Sequence, residues 1–357
     1  MARQRFKMLP SLPVSLSRGQ CVVYKKELLL CGGFLVRECY SYDTVKNQYK
    51  PICSYPKGIT SRGHCVVANV RNSNSDNKND NTPNGITLLS FGGVDKYQPK
   101  HALVMQYKSV WDNDNAITYK STKPFNEWIP LTDEHNNPIQ IGIREDNYIG
   151  ARSLIGGSNN HLLFITYPPK DIAVFNLNNF QCIKRSTLPI ENWIGYHCFI
   201  LGRQKNEMLL FCKKTGLSIE YNEDTNAFQF HHLSVCNHIA NLGDYAYVRI
   251  NDNDVLFFGG EITMGWGRTN EVHRYSIGEN KWIAFRYIMP VQLSSCTAVL
   301  AEDSTCVHII GGHDGQRSLD IHMQTHINEW LVKEQMQEKP SSEQSNTDVS
   351  VKVFICL

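Results

Sequence analysis

Short apolar runs alternate with polar turns along most of the chain, and four of the runs end in a glycine pair. They read Leu28-Leu29-Leu30-Cys31-Gly32-Gly33, Leu88-Leu89-Ser90-Phe91-Gly92-Gly93, Val255-Leu256-Phe257-Phe258-Gly259-Gly260 and Val307-His308-Ile309-Ile310-Gly311-Gly312. The last two pairs lie 52 residues apart and the first two 60 apart, with a polar insertion between them. A fixed period of about 50 residues marks a repeat architecture, in which one supersecondary unit is used several times.

The unit has four parts. A first apolar stretch, such as Cys21-Val22-Val23-Tyr24 or Cys65-Val66-Val67, is followed by a polar turn and then by the run ending in Gly-Gly. After a loop comes a third stretch ending in an aromatic, and a second aromatic stands seven residues further on. The pairs are Tyr42 and Tyr49, Tyr221 and Phe228, and Tyr275 and Trp282. Met323 and Trp330 keep the spacing without the first ring, and repeat 2 offers Tyr107 and Trp128, separated by an insertion. Runs this short, bounded by Gly, Asn and Asp, predict strands. The links Asp43-Thr44-Val45-Lys46-Asn47 and Asn222-Glu223-Asp224-Thr225-Asn226 predict hairpins.

With the glycine pairs and the Tyr-then-Trp spacing in view, clearest at Gly259-Gly260, Tyr275 and Trp282, the chain resembles the kelch repeat family. The resemblance runs from about Arg18 to Leu331. Repeats 1, 2, 5 and 6 carry the pair; repeat 3 has Thr166-Tyr167 and repeat 4 has Cys212-Lys213 near that place, and Gly156-Gly157 falls in a first turn instead. The resemblance implies an all-β, kelch-type β-propeller, here of six four-stranded blades. Blades of this kind cannot bury both faces alone and stack around an axis. The glycines and aromatics named so far are then fold-forming.

This reading divides the chain into an N-terminal segment, 1–17, a propeller, 18–332, and a polar tail with a short apolar end, 333–357. Three polar insertions interrupt the propeller, at 71–84, 108–126 and 133–147. The first is almost wholly Asn, Asp, Ser and Lys, a composition that cannot order itself by burial. A ring exposes no edge if one chain end completes the blade begun by the other. Either Phe6–Leu12 or Val351–Leu357 could supply that strand.

Charge narrows the partners. With 36 basic and 34 acidic residues, nothing drives the chain globally toward nucleic acid or an anionic membrane. No run approaches the ~20 apolar residues that span a bilayer. The opening residues lack the apolar core of a secretory signal, and 31 asparagines include no glycosylation sequon. Ala2 and the placement of Cys356 exclude the common lipidation signals. Most of the 12 cysteines sit singly in apolar strands and read as small buried hydrophobes. The expectation is a cytoplasmic monomer.

No nucleophile elbow, phosphate loop, dinucleotide fingerprint, zincin helix, calcium loop or Cys-x-x-Cys occurs, so no catalytic residue, cofactor or metal site is assigned. The one dense ligand cluster is His231-His232-Leu233-Ser234-Val235-Cys236-Asn237-His238. Along a strand, His232 and Cys236 stand about 13 Å apart, too far to share one ion without a bend. Copper-radical oxidases, whose propellers resemble kelch repeats, supply the alternative function: an enzyme with a Tyr, His and Cys site assembled from several blades.

The favoured expectation is a non-enzymatic protein-interaction module or scaffold. Kelch relatives typically bind other proteins, and loops on a rigid scaffold are where recognition residues collect. Loops after the second strand of each blade should share one face. They carry eight positive and five negative side chains, a modest basic excess. The candidate partner-binding residues are Arg37, Lys96, Tyr97, Lys100, Trp266, Arg268, His313 and Arg317, and the expected partner is an acidic protein or peptide. Arg and Trp often dominate binding energy, and Arg pairs bidentately with carboxylates.

Overall fold

The computed structural model describes residues 5–59, 62–69, 85–94, 97, 100–112, 124–262, 267–331 and 354–356. It is an all-β ring of six antiparallel blades. Blade 1 comprises β2 (Gln20–Tyr24), β3 (Glu27–Gly33), β4 (Val36–Asp43) and β5 (Gln48–Ser54). Blade 2 comprises β6 (His64–Asn69), β7 (Ile86–Gly92), β8 (Ala102–Tyr107) and β9 (Ile129–Pro130). Blade 3 has β10 (Arg152–Gly156), β11 (Leu162–Tyr167), β12 (Asp171–Asn176) and β13 (Cys182–Thr187). Blade 4 has β14 (Cys198–Leu201), β15 (Glu207–Cys212), β16 (Thr215–Asn222) and β17 (Ala227–His232). In blade 5 a split first strand, β18 (Leu242–Gly243) and β19 (Ala246–Arg249), precedes β20 (Asp254–Ile262), β21 (Arg268–Ser276) and β22 (Lys281–Ala284). Blade 6 has β23 (Thr297–Leu300), β24 (Cys306–Ile310) and β25 (His322–His326).

The ring closes through the N-terminus. Strand β1 (Phe6–Met8) pairs with β25, Phe6 opposite Thr325 and Met8 opposite Met323, and so becomes the fourth strand of blade 6. Leu9, Leu12 and Leu16 then donate backbone hydrogen bonds to His322, Asp320 and Leu319 as the chain crosses to blade 1. Of the two candidate closing segments, the N-terminal one completes the ring. The C-terminal strand β26 (Phe354–Cys356) extends the outer edge of blade 5, pairing with β22. The tail from 332 to 353 and the insertion 71–84 lie outside the described residues.

Each second strand is buried on both faces, which explains its unbroken apolar run. Val255 and Phe257 of β20 join the cluster between blades 4 and 5, while Leu256 and Phe258 join the cluster between blades 5 and 6. Leu28 and Leu30 of β3 likewise face blade 6, and Leu29 and Cys31 face blade 2. Six such clusters fill the six seams of the ring.

The glycine pairs mark where the chain leaving one blade crosses to the next. Gly260 donates to Leu293 O at 2.7 Å and Gly312 donates to Leu16 O at 2.7 Å. A Cβ on Gly259 would stand 2.2 Å from Leu293 O, and one on Gly311 would stand 2.3 Å from Leu16 O. Both also have φ near +60°, so no other residue fits the crossing.

The aromatic pairs face one another across the outer hairpins, with ring centroids 4.7 Å apart for Tyr42 and Tyr49 and 5.0 Å for both Tyr221–Phe228 and Tyr275–Trp282. Each tyrosine also donates its hydroxyl to an asparagine five residues on: Asn47 at 2.9 Å, Asn226 at 2.7 Å and Asn280 at 2.9 Å. Those asparagines have left-handed backbones, which Asn tolerates in tight turns. Repeat 2 departs from the expected pairing of Tyr107 with Trp128. There Ile129 pairs with Val104, so Trp128 falls opposite the Met105 position. It stacks on Tyr55 with centroids 4.9 Å apart, and Tyr107 meets Tyr24 instead. The insertion has moved the fourth strand along the third.

Candidate functional site

Two kinds of loop meet at one end of the ring: those after each second strand and those that cross between blades. The crossings also line the mouth of the central axis. Immediately before the innermost strand, Arg18, Tyr196, Asp244 and Ser295 occupy the same register position in blades 1, 4, 5 and 6, each two residues ahead of the first strand pair. All four have φ between 52° and 58°, and none is glycine. Left-handed backbone at such residues is strained and clusters at functional sites.

Hydrogen bonds tie this rim into two arcs. Arg18 N donates to Ser295 O and Ser295 N donates to Asp244 O, both at 2.8 Å. Tyr196 N donates to Gly150 O at 2.8 Å, and Gly150 N donates to Arg62 O at 3.1 Å. Side chains join the arcs. Arg18 donates through Nε and Nη2 to Asp244 Oδ2 at 3.2 and 3.1 Å, and its guanidinium lies 4.0 Å from the Tyr196 ring centre, a cation–π contact. Ser295 Oγ donates to the same Asp244 oxygen at 2.6 Å.

Of the sequence-derived candidates that lie among the described residues, several are occupied by the protein itself. Arg37, the second residue of β4, donates to Tyr55 O at 3.2 Å. Lys100 donates to Ile143 O at 2.6 Å and Arg144 O at 3.0 Å. Arg268 forms an ion pair with Glu261 at 3.2 Å and donates to Ser294 Oγ. His313 is half-buried; its ring accepts from Gly315 N at 3.0 Å. Arg317 is exposed, in a turn capped by Asp314. Tyr97 is 81% exposed. Lys96 and Trp266 lie outside the described residues.

Ten large apolar side chains are exposed among the described residues, and six of them lie at this end: Leu35, Tyr97, Ile143, Trp193, Ile262 and Ile288. Leu35 and Tyr97 belong to loops after second strands and Ile262 ends the second strand β20; Ile143, Trp193 and Ile288 belong to crossings. Trp193, 72% exposed, stands out because its loop is pinned. Neighbouring Asn192 bonds to Thr215 and, at 3.5 Å, to Cys212 O, and Ile194 N donates to Pro169 O at 2.8 Å. A rigid backbone thus presents a large ring to solvent. Trp193 stands between Asn192 and Ile194 in a crossing, away from the loops after second strands that carry the sequence-derived candidates.

The histidine cluster is dispersed. His231 and His232 are exposed, whereas Cys236 is buried among the residues between blades 4 and 5. Among the described residues no helix is long and apolar enough to cross a membrane.

No protein-family model matches the chain, and no curated protein matches it. Its fold is similar to the solved structure of YjhT, with a TM-score of 0.61 and 12% identity, over 88% of this chain and 95% of that one. At that identity the likeness carries the fold alone.

Proposed function

We propose that this chain is a kelch-type propeller acting as a cytoplasmic, monomeric protein-interaction module, which docks an acidic protein or peptide across the end of the ring that carries the axial mouth. The observation that carries the reading is the gathering at that end of six of the ten exposed large apolar side chains among the described residues. Apolar residues grouped on one face, with polar and basic side chains among them, have the composition of a docking surface. The acidic character of the partner rests on the exposed Arg62 and Arg317. The test compares partner capture by the wild type with capture by Trp193→Ala, Leu35→Ser and Arg317→Ala. Val45→Ser, at a hairpin turn on the opposite end, is the control. Loss with the first three and retention with the control supports the reading. Equal capture by all four, with the fold intact, removes it.

A further inference from the structure

The axis encloses a cavity of about 170 Å3 below the mouth, walled by the innermost strands of blades 1, 2, 3, 5 and 6. That volume equals about six water molecules in the liquid. Three charged side chains reach the wall: Arg18, Arg152 and Asp244. Arg18 and Asp244 neutralise one another. Among the described residues no carboxylate forms an ion pair with Arg152.

The Arg152 guanidinium is nonetheless held in place. Its Nε donates to His197 O and its Nη1 to Ala151 O, both at 3.1 Å. Carbonyl acceptors fix its orientation without cancelling its charge. The other ionisable groups on the wall are neutral at pH 7: burial pushes Cys65 up to about 11, Cys296 to about 12 and Tyr247 to about 12, and pushes Cys21 and Tyr245 up further. With two guanidiniums and one carboxylate, the wall carries a net positive charge, and Asp244 acts on Arg152 as well as on Arg18. Nearby, burial lowers His197 well below the usual histidine range, and the Arg152 charge lowers it further.

We infer that the axial cavity is a receptor site for a carboxylate, with Arg152 as its direct partner. A guanidinium offers paired donors that match the two carboxylate oxygens, and partial desolvation strengthens the contact. Ser153 and Tyr247 stand on the same wall, the Tyr247 hydroxyl hydrogen-bonded to Arg152 and Ser153 to Cys65. The volume admits a small acid whole, or the side chain of one Asp or Glu of a larger molecule. The inference stands apart from the docking reading, because a free acid needs no partner protein at the mouth.

The experiment titrates sodium succinate, and separately a capped pentapeptide with one central Glu, into the full chain by calorimetry. Arg152→Gln and Arg152→Lys are measured beside the wild type. Expected is saturable binding of at least one probe below about 10 mM, weakened at least about tenfold by Arg152→Gln and less by Arg152→Lys. Succinate binding assigns the site to free acids; peptide binding without succinate binding assigns it to a protein side chain. In case Arg152→Gln fails to fold, a wild-type melt with succinate is compared with one in 1,4-butanediol at matched ionic strength, and only succinate should raise the Tm. Absence of binding by both probes, an unchanged affinity in folded Arg152→Gln, or an equal Tm with diol and diacid each overturns the inference.

Discussion

Arg18 and Asp244 stand 226 positions apart in the chain and meet at the axial mouth, with Nη2 3.1 Å from Oδ2. The contact joins blade 1 to blade 5 over the end of blade 6, whose Ser295 donates to the same carboxylate oxygen. Three blades are thereby cross-linked at a point where their backbones are all left-handed. The rim is rigid because main-chain bonds, an ion pair and a ring contact act on the same few residues.

Asp244→Asn should isolate the electrostatic part of this cross-link, since Asn accepts the left-handed backbone as readily as Asp. The expected loss is about 1–2 kcal/mol, below the figure for a fully buried pair because Arg18 remains partly exposed. Thermal melts read this as a fall of a few degrees. Asp244→Ala should cost more, adding backbone strain. Equal stability of Asn and wild type would show that the pair is incidental.

The glycine pair can be tested at one position. Gly259→Ala places a Cβ against Leu293 O and keeps a strained φ, so a loss of about 3 kcal/mol or more is expected. Gly195→Ala serves as the control: its nearest neighbour is 3.7 Å from the added Cβ, and the change should stay within about 0.5 kcal/mol. Denaturant midpoints of the two variants decide the matter.

The period of the fold was legible because every second strand is buried on both faces, so each blade repeats an apolar run, a crossing and a hairpin. The glycine pairs announced the crossings, and Tyr42, Tyr221 and Tyr275 announced the hairpins. Blades 3 and 4 were visible only as strand patterns: Cys212 and Thr215 close a tight hairpin there with no glycine pair. Closure was not legible, because Phe6–Met8 is three residues long and has no motif of its own. Nor was the axial rim. Arg18, Tyr196, Asp244 and Ser295 share a position and a backbone angle but no chemistry, and no residue pattern reveals that.

Asn280 offers a cleaner reading of the outer hairpins. Asn280→Gly keeps the left-handed turn and loses only the acceptor for Tyr275 Oη, so a cost of about 1 kcal/mol is expected. Asn280→Ala loses both and should cost about 1 kcal/mol more. Urea unfolding of the two variants gives the order; Ala as stable as Gly would contradict it.

Stability should fall on acidification. Burial holds His101, His273 and His308 down to about 4 and His64 to about 3, each below the 6.5 of a solvated histidine. His322, bonded to His308 Nδ1 at 2.8 Å and to Tyr49 Oη at 2.6 Å, is lowered as well, by burial first and then by His308. Below pH 6.5 the unfolded chain takes up protons that the folded one refuses, so the unfolding free energy decreases as pH falls toward 4. Melts at half-unit steps should show Tm declining from about pH 6.5. A flat profile down to pH 4.5 would contradict these environments.

The docking surface is tested most directly by amide hydrogen exchange of the full chain with and without a captured partner. The account predicts added protection in the crossings and second-strand loops at the mouth, at 34–37, 142–149, 191–196 and 286–295. The hairpin turns at the other end, 43–48, 222–227 and 276–281, should exchange as before. Protection confined to those hairpin turns, with the mouth unchanged, would contradict it.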